Sequence, residues 1–484
     1  MNVIFEKSIP GAQGFYVDDG DIDHTPHIDP NLLRDEPAAL PELPEGEVVR
    51  HFIRLSQRNF SVDTHFYPLG SCTMKYNPKV CERISSFTGF TELHPILPQF
   101  LGGDLLTQGA LEVLYETERK LAALTGFAEY TLQPMAGSHG ELTGSMMIAA
   151  YHRDKGNKKT HVIIPDSAHG TNPASAALAG YNVVTIPSDE TGVMDFELFK
   201  QALNEETAGV MLTAPNTVGV FNERIIEIAE RTHAVDGLMY YDGANLNAIM
   251  GRCKPADMGF DVCHLNLHKT FATPHGGGGP GSGPVGVVEK LRPYLPISRV
   301  RKRSDGTYRL HYDEPKSIGY IAPFYGNFGV ILRAYAYLLL LGKDGLREVS
   351  NIAVLNANYL QAKLRDTFDS ANQGLCMHEC VFSGSAFGAQ GIHTLDIAKG
   401  LIDRGIHPPT IYFPLNIPEA IMIEPTETES RATLDTFVEA MIELAELAKS
   451  NPDELHQAPR TTPVGRLDEV AAAKNMNIVF PRDS

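Results

Sequence analysis

The chain has 484 residues, with 41 Lys or Arg against 59 Asp or Glu, a net charge of −18 at neutral pH and 43% hydrophobic content. That acidity argues against nucleic acid or an anionic membrane as a partner, and the length suits one large and one or two smaller globular domains. No apolar run reaches membrane-spanning length, and the start, Met1-Asn2-Val3-Ile4-Phe5-Glu6-Lys7, has no signal-peptide pattern, so a cytoplasmic protein is expected. The six cysteines lack paired zinc-ligand spacing and read as free thiols.

In chain order, residues 1–65 are rich in Pro, Asp and Glu, with one short amphipathic stretch at 47–58, and read as an N-terminal arm that needs a partner surface. From about 104 to 290, helical periods (105–124, 223–235) alternate with short apolar runs (161–164, 182–186, 209–214, 238–241, 285–288). This alternation predicts a mostly parallel sheet covered by helices on both faces, with ligands bound at the carboxyl ends of strands. The large α/β domain is expected over 66–325. The apolar run 329–341 reads as a buried linking helix. After it, a helix, a strand at 379–383, a helix at 394–404, strands at 410–413 and 420–423 and a long helix ending near Asn451 predict a small α+β domain, 326–450 in all. Residues 451–484 read as a C-terminal tail.

Four motifs fall at predicted strand ends. In Gln133-Pro134-Met135-Ala136-Gly137-Ser138-His139-Gly140-Glu141, Gly137 permits a tight turn and the Ser138/Glu141 spacing is that of a capping box, so a helix is expected to start at Ser138. The free N–H groups of its first turn, with the macrodipole, would bind a phosphate dianion without a lysine or arginine. A purely structural helix start accounts for the cap but not for the flanking glycines. Next, Asp166-Ser167-Ala168-His169-Gly170-Thr171-Asn172 puts His169 in a strand-to-helix loop, where a lone histidine is more often a surface or capping residue. The run Leu238-Met239-Tyr240-Tyr241-Asp242-Gly243-Ala244-Asn245 reads as a buried parallel strand ending in an acid. Alone, Asp242 is better taken as a helix cap; Ala244, two residues on, projects to the same face.

The fourth motif decides between these readings. Leu267-His268-Lys269-Thr270 runs into Gly276-Gly277-Gly278-Gly279-Pro280-Gly281-Ser282-Gly283-Pro284. A lysine beside glycines either holds a nucleotide phosphate or forms a Schiff base with an aldehyde cofactor. A Walker-type loop needs its lysine after the glycines and a helix next, whereas Lys269 precedes them and Pro280 and Pro284 oppose a helix. Pyridoxal 5'-phosphate (PLP) asks for a carboxylate at its ring nitrogen and a phosphate site upstream. Asp242, 269 − 242 = 27 residues before Lys269, and the Gly137–His139 turn meet those demands. His169 would then stack on the ring opposite Ala244.

Together these motifs resemble the PLP-binding half of glycine decarboxylase, the P-protein of the glycine cleavage system, in its split two-chain form. The likeness extends over Phe66-Tyr67-Pro68-Leu69-Gly70-Ser71-Cys72-Thr73-Met74-Lys75, Phe324-Tyr325-Gly326-Asn327-Phe328-Gly329, His378-Glu379-Cys380, His407-Pro408-Pro409-Thr410 and Met422-Ile423-Glu424-Pro425-Thr426-Glu427. One departure is Met135-Ala136-Gly137-Ser138-His139, where an Asn-Ser-Gly-Ala-Gln type of phosphate turn is expected. The resemblance implies a fold-type I PLP-dependent transferase fold. It also implies decarboxylation of glycine, with CO2 released and the aminomethyl group passed to the lipoyl arm of the H-protein. It implies a heterotetramer with a companion subunit 1. Lys269, Asp242 and His169 are the expected catalytic residues, and Gly137, Ser138, His139, Ala244 and His268 join them in holding the cofactor. His268 is a second candidate proton carrier. Another fold-type I reaction, transamination or desulfuration, is the alternative within enzymes. It is disfavoured because residues 407–429 contain no arginine to grip a substrate carboxylate, although Arg431 lies just beyond. A silent subunit is disfavoured by the presence of both Lys269 and Asp242.

Overall fold

The computed structural model describes residues 2–14, 28–36 and 38–478. Residues 15–27 of the expected arm and 479–484 of the expected tail lie outside the described residues. The chain divides into two compact units, Met1–Ser61 and Val62–Ser484. In the first, the helix Glu45–Ser56 carries acids in its first turn and an arginine in its last, in keeping with the helix dipole. Its Val49, Phe52 and Ile53, at the spacing of one helix face, are all exposed.

The second unit is built on a seven-stranded sheet. Its strands in chain order are β1 (Glu129–Thr131), β2 (His161–Pro165), β3 (Asn182–Ile186), β4 (Thr207–Thr213), β5 (Leu238–Gly243), β6 (Val262–Leu265) and β7 (Val285–Val287). The spatial order is β1-β7-β6-β5-β4-β2-β3, and only β7 runs against its neighbours. Continuous burial of β5 follows from helices on both faces of a parallel strand. Its residues alternate between two cores: Met239 and Tyr241 pack in one, Leu238 and Tyr240 in the other. Asp242 continues the Leu238 and Tyr240 side. The strand β1 has no counterpart in the sequence reading, being three residues long with little apolar run to mark it.

The helix Gln108–Thr125 ends at Gly126 and the helix Gly137–Lys155 at Gly156, each glycine in the left-handed region at the terminus. The expected linking helix is the first part of a helical stretch, Phe328–Leu364, that is broken at Gly342, where φ is 59° and ψ −170°. Beyond the break its second part packs on a four-stranded antiparallel sheet formed by Asp369–Ser370, Cys380–Ser383, Ala420–Ile423 and Thr410–Ile411. The helices Thr394–Asp403 and Arg431–Ser450 complete this core.

Residues 66–75, assigned by sequence to the large domain, run along the small sheet. Leu69 pairs with Ile423, the Glu424 N–H donates to Pro68 O, and Thr410 Oγ1 donates to Gly70 O at 2.7 Å. A Cβ on Gly70 would fall 2.2 Å from Met422 Cγ, so only glycine permits this approach. Lys75 anchors the far end. It is 1% exposed, and its Nζ lies 2.7 Å from Glu427 Oε1 and 3.2 Å from both Asn247 Oδ1 and Tyr337 OH. Among the described residues no helix is long and apolar enough to cross a membrane.

Candidate active site

The carboxyl ends of β2, β4, β5 and β6 converge with the small sheet on a cavity of about 200 Å³. Of the expected site residues, Gly137, Ser138, His169, Asp242, Ala244 and Lys269 line it; His139 and His268 do not.

Lys269 follows β6 in a turn, and no helix forms between it and β7. Its Nζ donates to Ser71 O at 2.7 Å. Ser71 has φ 64°, a left-handed conformation unusual for a residue with a side chain, and its N–H donates to Glu379 Oε2 at 3.0 Å. One residue of the 66–75 segment, Ser71, therefore joins Lys269 to the small domain.

Asp242, 4% exposed, accepts from Asn172 Nδ2 at 2.9 Å, Thr213 Oγ1 at 3.3 Å and Ala244 N–H at 3.2 Å. The last bond is a local turn. Strand β5 ends at Gly243, so it is this turn, rather than strand alternation, that brings Ala244 beside Asp242. Burial alone would push the Asp242 carboxyl up; His264, the Asn172 and Ala244 donors and Lys269 outweigh it and hold the carboxyl below its ordinary value. His264 Nε2 lies 3.4 Å from Asp242 Oδ1, while its Nδ1 is bonded to Tyr240 OH at 2.8 Å. Burial pulls His264 down to about 4. Near neutral pH it is uncharged, and the hydrogen-bond donors with Lys269 are what keep Asp242 ionised.

The expected capping box is not formed. The helix begins at Gly137, one residue early, with Ala136 as N-cap and no side-chain cap bond. Glu141 turns into the protein instead: it is 4% exposed, lines the cavity, and its Oε2 has no hydrogen-bond partner. Burial and then the Asp242 charge push its carboxyl up to about 8, against Thr171 and Lys269. The Ser138/Glu141 spacing is thus a consequence of two residues facing one cavity. Gly137 is required by close packing, since a Cβ there would lie 2.6 Å from Asn266 Nδ2 and 2.7 Å from its Oδ1.

His169 is exposed on the cavity rim, with Nδ1 2.8 Å from Thr171 Oγ1 and its ring edge-on to Phe413 at 6.1 Å. Burial within the loop, assisted by Lys269, lowers it from its ordinary value against the pull of Asp242. His268 is engaged elsewhere. Its Nδ1 accepts from the Ser282 N–H at 3.2 Å, and burial, with Lys269 and His275, takes it down to about 3. An uncharged ring tied to the glycine loop and outside the cavity lining is poorly placed as a proton carrier. The His139 ring turns back on its own loop, where Nδ1 accepts from the Met135 N–H at 3.3 Å.

Sequence reasoning missed Asn172, Thr213, His264, Asn266, Glu141 as a buried acid, and the Glu379 and Glu424 pair.

The cavity fits PLP on its own polar inventory. One ionised acid on a strand end faces a lysine, a helix start offers N–H groups with no side-chain cap, and buried Asn172 Oδ1 and Asn266 Oδ1 lack partners.

Residues 349–460 match the family model described as "Glycine dehydrogenase, C-terminal domain". A "Probable glycine dehydrogenase (decarboxylating) subunit 2" from Caldanaerobacter subterraneus subsp. tengcongensis is 54% identical over 478 residues, 98% of this chain and 97% of the relative. A protein of the same description from Listeria innocua is 53% identical over 487 residues, 100% of this chain and 99% of the relative. In structure the chain is similar to glycine decarboxylase (P-protein) of the glycine cleavage system in inhibitor-bound form, at TM-score 0.70 and 21% identity, over 86% of this chain and 93% of that one. The seven-stranded sheet with its single reversed strand is the fold-type I architecture of PLP-dependent enzymes, and the chain belongs to the glycine dehydrogenase (decarboxylating) subunit 2 family.

Proposed function

We propose that this chain holds PLP on Lys269 and releases the carboxyl group of glycine as CO2, passing the remaining aminomethyl group to the lipoyl arm of an H-protein. The observation that carries the reading is the convergence of Lys269, Asp242 and the uncapped helix start at Gly137 on one cavity. When bound, the cofactor supplies a conjugated ring that accepts the electron pair freed as the carboxyl leaves.

The chain's residues divide the remaining work. Lys269 Nζ, tethered by one carbonyl, is the group that attaches the cofactor covalently. Asp242, charged and fixed by three donors, would keep the ring nitrogen protonated. The first-turn N–H groups at Gly137, Ser138 and His139 would hold the phosphate by helix dipole and hydrogen bonds. Ala244 leaves space for the ring, and His169, uncharged near neutrality, is the group on the rim able to accept or return a proton. We assign His268 the lesser role of fixing the glycine loop.

A companion subunit fits both the relatives' designation as subunit 2 and the exposed Val49, Phe52 and Ile53 face of the arm helix. We propose a heterotetramer of two chains of each kind, and the cytoplasm as its compartment, in keeping with six unpaired cysteines. Mixing the purified chain with its companion, PLP, lipoylated H-protein and carboxyl-labelled glycine should release labelled CO2, with little from either chain alone. Full release by this chain without its companion would refute the assembly, and none from the mixture would refute the reaction.

A further inference from the structure

The cavity has a second acidic wall, supplied by the small domain. In the small sheet Cys380 pairs with Ile423, so Glu379 and Glu424 stand opposite each other one step beyond the end of the ladder. Both are buried, at 3% and 0% exposure. Like charges directly opposite on a sheet repel. Among the described residues neither carboxylate has a lysine or arginine in ion-pair contact; the nearest basic group is His378, whose Nε2 is 3.7 Å from Glu379 Oε1. A ring nitrogen of His378 and one carboxylate oxygen each of Glu379 and Glu424 all lie within 4.8 Å of one another.

The two acids are not equivalent. Glu424 Oε1 accepts from Thr73 Oγ1 at 2.6 Å, Asn245 Nδ2 at 2.7 Å and Asn247 Nδ2 at 3.2 Å, a set of donors that stabilises a carboxylate. Glu379 receives one N–H, from Ser71. Its carbonyl packs directly on Gly219, where a Cβ would fall 2.2 Å from Glu379 O. Two atoms of the cluster, His378 Nδ1 and Glu424 Oε2, are buried without any partner. In a buried pair of acids in which one member takes three donors and the other takes one, the proton belongs on the poorly supplied member, Glu379, which lines the cavity together with His378.

We infer that Glu379 holds the proton required by the departing sulfur of the lipoyl disulfide, with Glu424 as its charged partner and His378 as the route by which it is replaced. The inference rests on the reaction proposed above. There, the pair left on the glycine α-carbon forms a C–S bond with one sulfur while the S–S bond breaks and its pair passes to the other sulfur. Glycine gives up two electrons, its carboxyl carbon becoming CO2 and its α-carbon exchanging a C–C for a C–S bond, and the disulfide takes up both. The second sulfur leaves as a thiolate and takes one proton, which Glu379 gives up; His378 returns one from solvent. The groups facing Glu379 agree with this: burial first and then Glu424 push its carboxyl up to about 7, against His378, the Ser71 N–H and Lys269, while the neighbouring thiols of Cys376 and Cys380 are held protonated by burial.

Two readouts decide the matter. In the purified chain without substrate, the infrared pH-difference spectrum of the wild type minus that of Glu379→Gln should leave one protonated-carboxyl carbonyl band titrating near pH 7, the bands of the other raised carboxyls, Glu118, Glu141 and Glu429, being common to both and cancelling. That band should shift to lower pH when the same subtraction is made in a Glu424→Gln background. No band left by the subtraction, or a stoichiometric divalent metal in the purified protein, would overturn the inference. In the reconstituted reaction, Glu379→Gln should keep its PLP absorbance yet transfer the aminomethyl group roughly 100-fold more slowly at neutral pH, with the fall in rate above pH 7 abolished and partly restored in Glu379→Asp. An unchanged rate and pH profile would also overturn it. If the wild type releases no CO2, the reaction is wrong, and the infrared titration still decides whether Glu379 stores a proton.

Discussion

The two acidic walls of the cavity solve one physical problem in opposite ways. On the large-sheet wall Asp242 is surrounded by donors and keeps its charge despite burial. On the small-sheet wall Glu379 faces another carboxylate and has one donor, so it keeps a proton. The number of N–H and O–H groups aimed at each acid, more than its depth, sets its charge. Glu141 stands between the two cases: it sits beside Asp242, has an unpartnered oxygen, and is pushed up by burial and by that neighbour.

The sharpest way to break this contrast is to remove the fixed charge. Asp242→Asn should still bind PLP, because Asn172, Thr213 and Ala244 continue to hold the side chain, but glycine turnover should fall by about 10³-fold, the scale of losing one preorganised electrostatic group. Normal turnover in a PLP-loaded variant would remove Asp242 from its role.

Next in size is the anchor of the small-domain wall. Lys75→Met leaves Glu427 buried without its ammonium and should cost about 3 kcal/mol in urea unfolding. It should also loosen Asn247, which bonds both Lys75 and Glu424. A loss well under 1 kcal/mol would show that the segment 66–75 is held chiefly by its strand-like pairing.

A smaller effect comes from Glu141. Its folded value lies above its ordinary one, so its contribution to stability is fully present below about pH 4.5 and is lost as pH rises through about 8. The cofactor-free chain should therefore weaken between about pH 4.5 and 8, and Glu141→Gln should remove part of that slope, on the order of 2 kcal/mol. Asp242, shifted the other way, contributes stability that is lost only in acid. Identical slopes in variant and wild type would mean that Glu141 is ionised in the folded chain. Smallest is Gly137→Val: its Cβ would press on Asn266 and should weaken PLP binding roughly tenfold in a protein that still folds, about 1.4 kcal/mol. Unchanged affinity would count against the helix start as the phosphate site.

The contrast also explains what could be read from the sequence. Lys269 was singled out by the glycine-rich run that follows it, and Asp242 because it closes an apolar strand, where a polar residue marks the carboxyl edge of a parallel sheet. Most helices and strands were legible from the same periodicity. The Ser138/Glu141 pattern misled because a capping box and a buried acid facing a cavity share one spacing, and only packing tells them apart. Glu379 and Glu424 were out of reach for a different reason. They meet through the register of two strands some forty residues apart, which no local pattern encodes. His264 is invisible likewise, a fully buried imidazole whose neighbours come from β5 and the 137–155 helix.

Covalent anchoring of PLP by Lys269 is tested most directly by reducing the purified chain with borohydride in the presence of PLP, digesting it and locating the pyridoxyl group by mass spectrometry. A single stoichiometric modification on Lys269, absent in Lys269→Ala, is expected. Modification of another lysine, or none at all in a folded protein, would contradict it.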